Sequence, residues 1–281
     1  GVEITDSADY LNHEDQFGEV LPEIEQSDFV EITAYYPENM PIVELKAEIE
    51  HKIANLSDYF SLTGLSVTTN NLSETNWAEA WKKYYFPVRV TRYLTVVPSW
   101  LEYQKQQEDE RLIRLDPGLA FGTGTHPTTQ LTLAALEQYV RGGESVLDVG
   151  TGSGVLSIAA KLLGASTVTA FDIDEMATRV SKENISLNPE VGEISVYENN
   201  LLQGIHQPSD LIVANILAEI LLMMPVDAHH NLNENGVLIL SGIIQSKAEE
   251  VRSAYENAGF TLKQQLTMGE WNTFVMTKVK D

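Results

Sequence analysis

Val146-Leu147-Asp148-Val149 is an apolar, strand-like run that passes directly into Gly150-Thr151-Gly152-Ser153-Gly154 and then into the helix-like run Val155-Leu156-Ser157-Ile158-Ala159-Ala160. Glycines at such a strand-to-helix turn let a ligand approach the backbone with no Cβ between them, and the helix N-terminus adds partial positive charge. The spacing is GxGxG, and Val155 fills the position where a dinucleotide fingerprint has its third small residue. The expected ligand is therefore a nucleoside rather than a pyrophosphate, held at Gly150 and Gly152. Taken alone, the same five residues would also serve as a tight structural turn.

Further polar residues stand at the ends of apolar runs. Asp172, in Phe171-Asp172-Ile173-Asp174, lies 22 residues after Gly150. A carboxylate at the end of the next strand is placed to accept both ribose hydroxyls. Asp174 reads as the N-cap of the helix that follows. In Asn199-Asn200-Leu201 a side-chain amide, that of Asn200, could reach an adenine edge, and capping of the loop serves equally well. Asn215 ends the run Val213-Ala214-Asn215, where a polar residue meets a ligand in the crevice of an open sheet.

Upstream, the glycine- and hydroxyl-rich stretch 116–129 opens a helix. Thr129 is expected to contact a bound carboxylate near the free amides of that helix N-terminus, while His126 reads as a loop residue more than as a base. The pair His229-His230 reads as surface, because adjacent rings do not share one side of a helix, and no metal site is expected. No GxSxG, HExxH or Walker motif occurs.

The elements that must position these residues follow a regular alternation. Strands are expected over 145–149, 167–171, 194–197, 211–214 and 237–241, and helices over 130–140, 155–163, 175–188, 216–231 and 246–258. This is the pattern of βαβ units in a parallel sheet covered on both faces. Strands 260–266 and 271–277 are too close for a crossover helix and must form an antiparallel hairpin. The fold class is α/β, a seven-stranded doubly wound, Rossmann-like sheet with a terminal hairpin.

The first hundred residues read as a small α+β domain, with strands over 29–36, 65–69 and 88–97 and helices over 41–60 and 77–85. Residues 101–114, centred on the polar run 104–110, read as a linker, and residues 115–281 as the ligand-binding domain.

With 281 residues, 43% hydrophobic and 21% charged, the chain is expected to fold into two domains. The absence of cysteine excludes disulfides and thiolate metal sites. No apolar run reaches the ~18–20 residues of a membrane span, so neither membrane insertion nor export is expected and the cytoplasm fits best. A net charge of −23 repels phosphate backbones and anionic lipids, which disfavours direct nucleic-acid binding. Twelve acidic residues and no Lys or Arg precede Lys46. They read as a solvated face or as a docking face for a basic partner.

The glycine loop, the acidic strand end, Asn215-Ile216-Leu217-Ala218 and the hairpin together resemble a class I S-adenosylmethionine-dependent methyltransferase. Residues 121–129, read with 149–154, 171–174 and 214–218, resemble more specifically the bacterial ribosomal protein L-eleven methyltransferase family, the PrmA type. The likeness extends to Asn76-Trp77, Pro87-Val88-Arg89 and Val97-Pro98-Ser99-Trp100. The resemblance implies a ferredoxin-like N-terminal recognition domain, a linker helix and a C-terminal catalytic domain. It implies S-adenosylmethionine as cofactor, with contacts at Thr129, Gly150, Asp172 and Asn215.

The implied substrate is the α-amino group and lysine side chains of a basic, large-subunit ribosomal protein. Asn215 is expected to orient the attacking amine. The family's first strand and helix have no counterpart before Gly1, so the recognition domain is expected to be incomplete. A nicotinamide-dependent oxidoreductase and a non-catalytic adaptor are the alternatives; Val155 and the hairpin count against the first.

Overall fold

The computed structural model describes residues 2–5, 31–34, 42–54, 66–69, 85–116, 124 and 126–278. The chain divides into two compact units, residues 1–80 and 81–281.

In the first unit, β1 (Val2–Thr5) pairs antiparallel with β2 (Glu31–Ala34), and α1 spans Ile42–Ala54. β2 and α1 fall within the strand and helix expected there. β1 was not expected. The run read as a strand over 65–69 carries no regular structure at 66–69. Its β-branched residues have no partner strand among the described residues, and β-propensity is realised only through cross-strand packing. The helix expected over 77–85 lies outside the described residues except for Tyr85, which is not helical.

The second unit begins with a three-stranded sheet of β3 (Val88–Arg89), β4 (Leu94–Pro98) and β5 (Arg111–Leu115), in that order. The single strand expected over 88–97 is in fact two strands of an antiparallel pair. Thr91 causes the reversal, since its hydroxyl accepts the Leu94 N–H at 2.9 Å and folds the chain back. β5 runs parallel to β4 and occupies the end of the stretch read as linker. Just before it, Glu110 is fully buried and accepts the hydroxyls of Thr95 and Tyr103.

The large sheet follows. Its elements are α2 (Pro127–Tyr139), β6 (Ser145–Val149), α3 (Val155–Leu163), β7 (Thr167–Asp172), α4 (Glu175–Ser186) and β8 (Ser195–Glu198). β9 (Ser209–Asn215), α5 (Ala218–Leu221), α6 (Pro225–Asn231), β10 (Leu232–Ile244), α7 (Ala248–Asn257), β11 (Phe260–Met268) and β12 (Trp271–Lys278) complete it.

The strand order is β11-β12-β10-β9-β6-β7-β8, parallel except for β12, which is antiparallel to both neighbours. Alternate residues of each central strand enter different cores. Val146, Leu211 and Val213 join one with α2 and α3, whereas Leu147, Ile212 and Ala214 join another with α5 and α7. That two-sided burial is why these strands read as unbroken apolar runs. The doubly wound sheet and terminal hairpin are as expected.

The helix expected over 216–231 is broken into α5 and α6. Pro225 lacks an N–H, and its ring would collide with the Leu221 carbonyl of a continuing helix. That carbonyl instead accepts the Tyr255 hydroxyl at 2.9 Å.

Candidate functional site

β6 and β9 are neighbours at the point where strand order reverses, so the loops leaving their carboxyl ends diverge and open a crevice. Gly150 begins the loop after β6. It has φ +74°, and a Cβ there would lie 2.3 Å from Ile216 Cγ2, so a side chain is excluded by both backbone and neighbour. The Gly150 and Thr151 N–H groups donate to the Phe171 carbonyl at 2.8 and 3.0 Å, which ties the loop to the end of β7.

Asp172 ends β7 and is partly exposed. Its Oδ2 accepts the Gly152 N–H at 2.9 Å and its Oδ1 the Asp174 N–H at 3.0 Å. Each oxygen retains acceptor capacity, because a carboxylate has about four lone-pair sites. Asp174 is the N-cap of α4 as expected, accepting the Met176 N–H at 2.9 Å. The Asn199 side chain caps its own loop by donating to the carbonyls of Leu201 and Gln203, at 3.0 and 3.3 Å. Asn200 is exposed, past the carboxyl end of β8.

Thr129 and Asn215 approach the crevice from the other side. Ser241 pairs in register with Asn215, and its hydroxyl donates to the Thr128 carbonyl at 3.2 Å. This bond pins the first turn of α2 to the ends of β9 and β10. Thr129 is fully buried. His126 caps α2, its Nδ1 3.3 Å from the Thr128 N–H, and its ring packs edge-on to Trp271 at 5.1 Å. Burial lowers the His126 pKa and favours the neutral ring that such a cap requires. His229 packs edge-on against Phe260, 5.5 Å away. Among the described residues no group of three or more His, Cys, Asp or Glu could hold a metal.

One residue of the site was not nominated by its motif. Asp148 is fully buried, and its Oδ2 accepts the hydroxyls of Thr151 and Ser157 at 2.8 and 2.6 Å. Burial pushes its carboxyl up to about 6, the two hydroxyls pull it down, and Asp172 adds a smaller upward push. The signal was a lone acid inside an apolar strand.

Thr129 Oγ1, Asp148 Oδ1 and Asn215 Oδ1 are the buried side-chain atoms without a hydrogen-bond partner among the described residues. Asp148 lies on β6 and Asn215 ends β9, the two strands flanking the crevice, and Thr129 lies in the first turn of α2, which the Ser241 bond holds to β10. Leaving a buried polar atom unsatisfied costs about 1–3 kcal/mol, so each is a group that a polar ligand held there would satisfy. At the rim, Ile173 and Leu217 are 67% and 66% exposed, which adds apolar lips beside Asp172 and Asn215.

Comparison with known proteins bears on which ligand and which reaction. A protein named ribosomal protein L11 methyltransferase from Lactococcus lactis subsp. lactis is 68% identical over 281 residues, covering 100% of this chain and 89% of its own. One of the same name from Streptococcus agalactiae serotype Ia is 52% identical over 282 residues, with the same coverage. The crystal structure of ribosomal protein L11 methylase from Lactobacillus delbrueckii subsp. bulgaricus is 39% identical and superimposes with a TM-score of 0.67, over 70% of this chain and 100% of that one. Residues 1–279 match the family described as "Ribosomal protein L11 methyltransferase (PrmA)". With a match of that length, the chain belongs to the ribosomal protein L11 methyltransferase family.

Proposed function

We propose that this methyltransferase uses S-adenosylmethionine to methylate the α-amino group and lysine side chains of a basic protein of the large ribosomal subunit, ribosomal protein L11. The observation that carries the reading is the set of three unsatisfied buried oxygens on the elements beside the crevice, with Asp172 at the end of β7 on its other side, bonded to the Gly152 N–H of the glycine loop. These groups fit a nucleoside joined to a charged amino acid. Asp172 would take the ribose hydroxyls, and the backbone at Gly150 and Gly152 would lie against the nucleoside. Asn200 would reach the base edge. The Thr129 hydroxyl, at the N-terminus of a 13-residue helix, would donate to the carboxylate.

When bound, S-adenosylmethionine supplies an electrophilic methyl on a sulfonium. That methyl would pass to the amine nitrogen, with the carbon–sulfur bonding pair left on sulfur. A lysine amine with ordinary pKa ~10.4 must first lose its proton. Asp148 is fully buried with its Oδ2 taken by two hydroxyls, and His126 is committed to a cap, so neither is assigned as the base. Solvent takes the proton, and catalysis comes from alignment, with Asn215 Oδ1 accepting from the incoming amine. Residues 1 to about 100 would recognise the protein substrate.

The family match leaves the oxidoreductase and adaptor readings without support. No helix among the described residues is long and apolar enough to cross a membrane. We take the cytoplasm as its place of work and expect no direct contact with nucleic acid, given the charge of −23. Incubation of the protein with methyl-labelled S-adenosylmethionine and purified ribosomal protein L11 tests the reading. Label is expected in amines of the substrate, and its absence overturns the reading.

A further inference from the structure

The outer edge of β5 is covered by two asparagines rather than by a strand. β5 ends the order β3-β4-β5, so the backbone groups of Arg114 and Asp116 on its free side need partners. Asn184 and Asn188 stand four residues apart on and just after α4, which puts them on one face. They are 0% and 1% exposed. Asn188 Oδ1 accepts the Arg114 N–H at 2.8 Å, and its Nδ2 donates to the Arg114 carbonyl at 2.8 Å and to the Asn184 carbonyl at 2.7 Å. Asn184 Oδ1 accepts the Asp116 N–H at 2.8 Å. The two amides thus offer β5 the alternating acceptors and donor of a neighbouring strand.

Asn184 does one thing that Asn188 does not. Its Nδ2 donates to the Ser153 carbonyl at 2.8 Å, within the glycine loop. α4 also touches that loop at the next residue, since a Cβ on Gly154 would lie 3.1 Å from Ser181 Cβ. We propose that Asn184 is a positioning residue for methyl transfer: its buried carboxamide ties the Ser153 carbonyl of the glycine loop to the Asp116 N–H at the end of β5, fixing the loop that would hold the methyl donor against that edge. A simple edge-covering role would need the bond to Asp116 but not the bond to Ser153. The inference rests on the donor assignment above.

Asn184→Asp keeps an acceptor for the Asp116 N–H and turns the contact with the Ser153 carbonyl from attractive to repulsive. Asn188→Ala removes two bonds at the β5 edge and one to the Asn184 carbonyl, and leaves Ser153 untouched. Steady-state methylation of ribosomal protein L11 is measured for both, alongside their melting temperatures. In Asn184→Asp the KM for S-adenosylmethionine should rise about tenfold or more, as loss of a buried hydrogen bond implies, while kcat falls less than about threefold. In Asn188→Ala that KM should stay within about twofold even where the melting temperature drops as far.

Equal rises in the two variants, or none in Asn184→Asp, overturn the proposal. A measurement on the unaltered protein covers the case in which a variant does not fold. Saturating S-adenosylmethionine should slow amide exchange at Asp116 by about threefold more than at Arg114, and equal effects at the two sites overturn the proposal. If calorimetry detects no binding of S-adenosylmethionine to the unaltered protein, the donor assignment itself is wrong and this inference falls with it.

Discussion

Asp172 meets the loop with one oxygen and its own turn with the other, so its carboxylate is held in place before any ligand arrives. Pre-orientation of this kind makes a charged acceptor effective, since no side-chain freedom is lost on binding. Asp172→Ala should weaken binding of S-adenosylmethionine and its demethylated product by about 1.5–3 kcal/mol, the worth of a hydrogen bond to a charged group. Unchanged affinity in calorimetry would remove Asp172 from the site. Asp148 sets a different test. Its carboxyl is held at about 6 against an ordinary 3.8, so between those values the native state binds more protons than the unfolded one. Stability therefore falls as pH rises through that window and levels off above it. Asp148→Asn cannot titrate. The stability of the unaltered protein relative to that variant should drop by about 2–3 kcal/mol between pH 4 and pH 7, read by urea unfolding. A difference independent of pH would show that burial does not hold the proton on Asp148.

At the scale of elements, the end of β9 is gripped by two glycines. Ile216 presses its Cγ2 against Gly150, and a Cβ on Gly242 would lie 2.1 Å from the Ile216 carbonyl oxygen. Gly269, with φ +57° and open space around it, isolates the conformational cost alone. Gly269→Ala should cost about 1–2 kcal/mol. Gly150→Ala should cost more, and adding Ile216→Ala should recover part of the loss, because the obstacle is a side chain. The loss in Gly242→Ala should not be recovered by Ile216→Ala, because the obstacle is a carbonyl. Unfolding free energies of the five variants decide it; recovery in both pairs would refute the backbone clash.

Much of this was legible in the chain. Runs such as 211–214 are apolar at every position because both faces of the strand are buried, so the alternation of strand and helix stood out. Gly242 interrupts such a run and marks the register shift between Leu240 and Ile243, a cue left unread. The division of 88–97 depends on the side-chain hydroxyl of Thr91, and the break after α5 on Pro225, local chemistry that apolar periodicity passes over. Thr129 and Asn215 were readable as strand-end and helix-start polar residues. Asp148 was not nominated, because its meaning lies in how deeply neighbouring elements bury it.

Over the whole molecule, charge is divided unequally. Residues 1–80 hold 17 acidic and 2 basic side chains, or −15, against 24 and 16, or −8, in residues 81–281. If the first unit recognises a basic protein, its field acts before contact is made, and it is this encounter that salt disturbs. The Debye length falls from ~30 Å at 0.01 M to ~10 Å at 0.1 M, so charges spread over a unit of this size lose their joint attraction across that range. The kcat/KM for ribosomal protein L11 should therefore fall about tenfold or more between about 0.02 and 0.3 M salt, an effect of the kind seen when steering is screened. The KM for S-adenosylmethionine, a small ligand met at the crevice, should change by less than about twofold over the same range. A fragment of residues 81–281 should bind S-adenosylmethionine with the affinity of the full chain, which also reports that it is folded. It should methylate the ribosomal protein poorly and with a shallower dependence on salt, having lost most of the net charge. Full activity of that fragment on the intact protein, with an equally steep salt dependence, would show that recognition lies in the second unit.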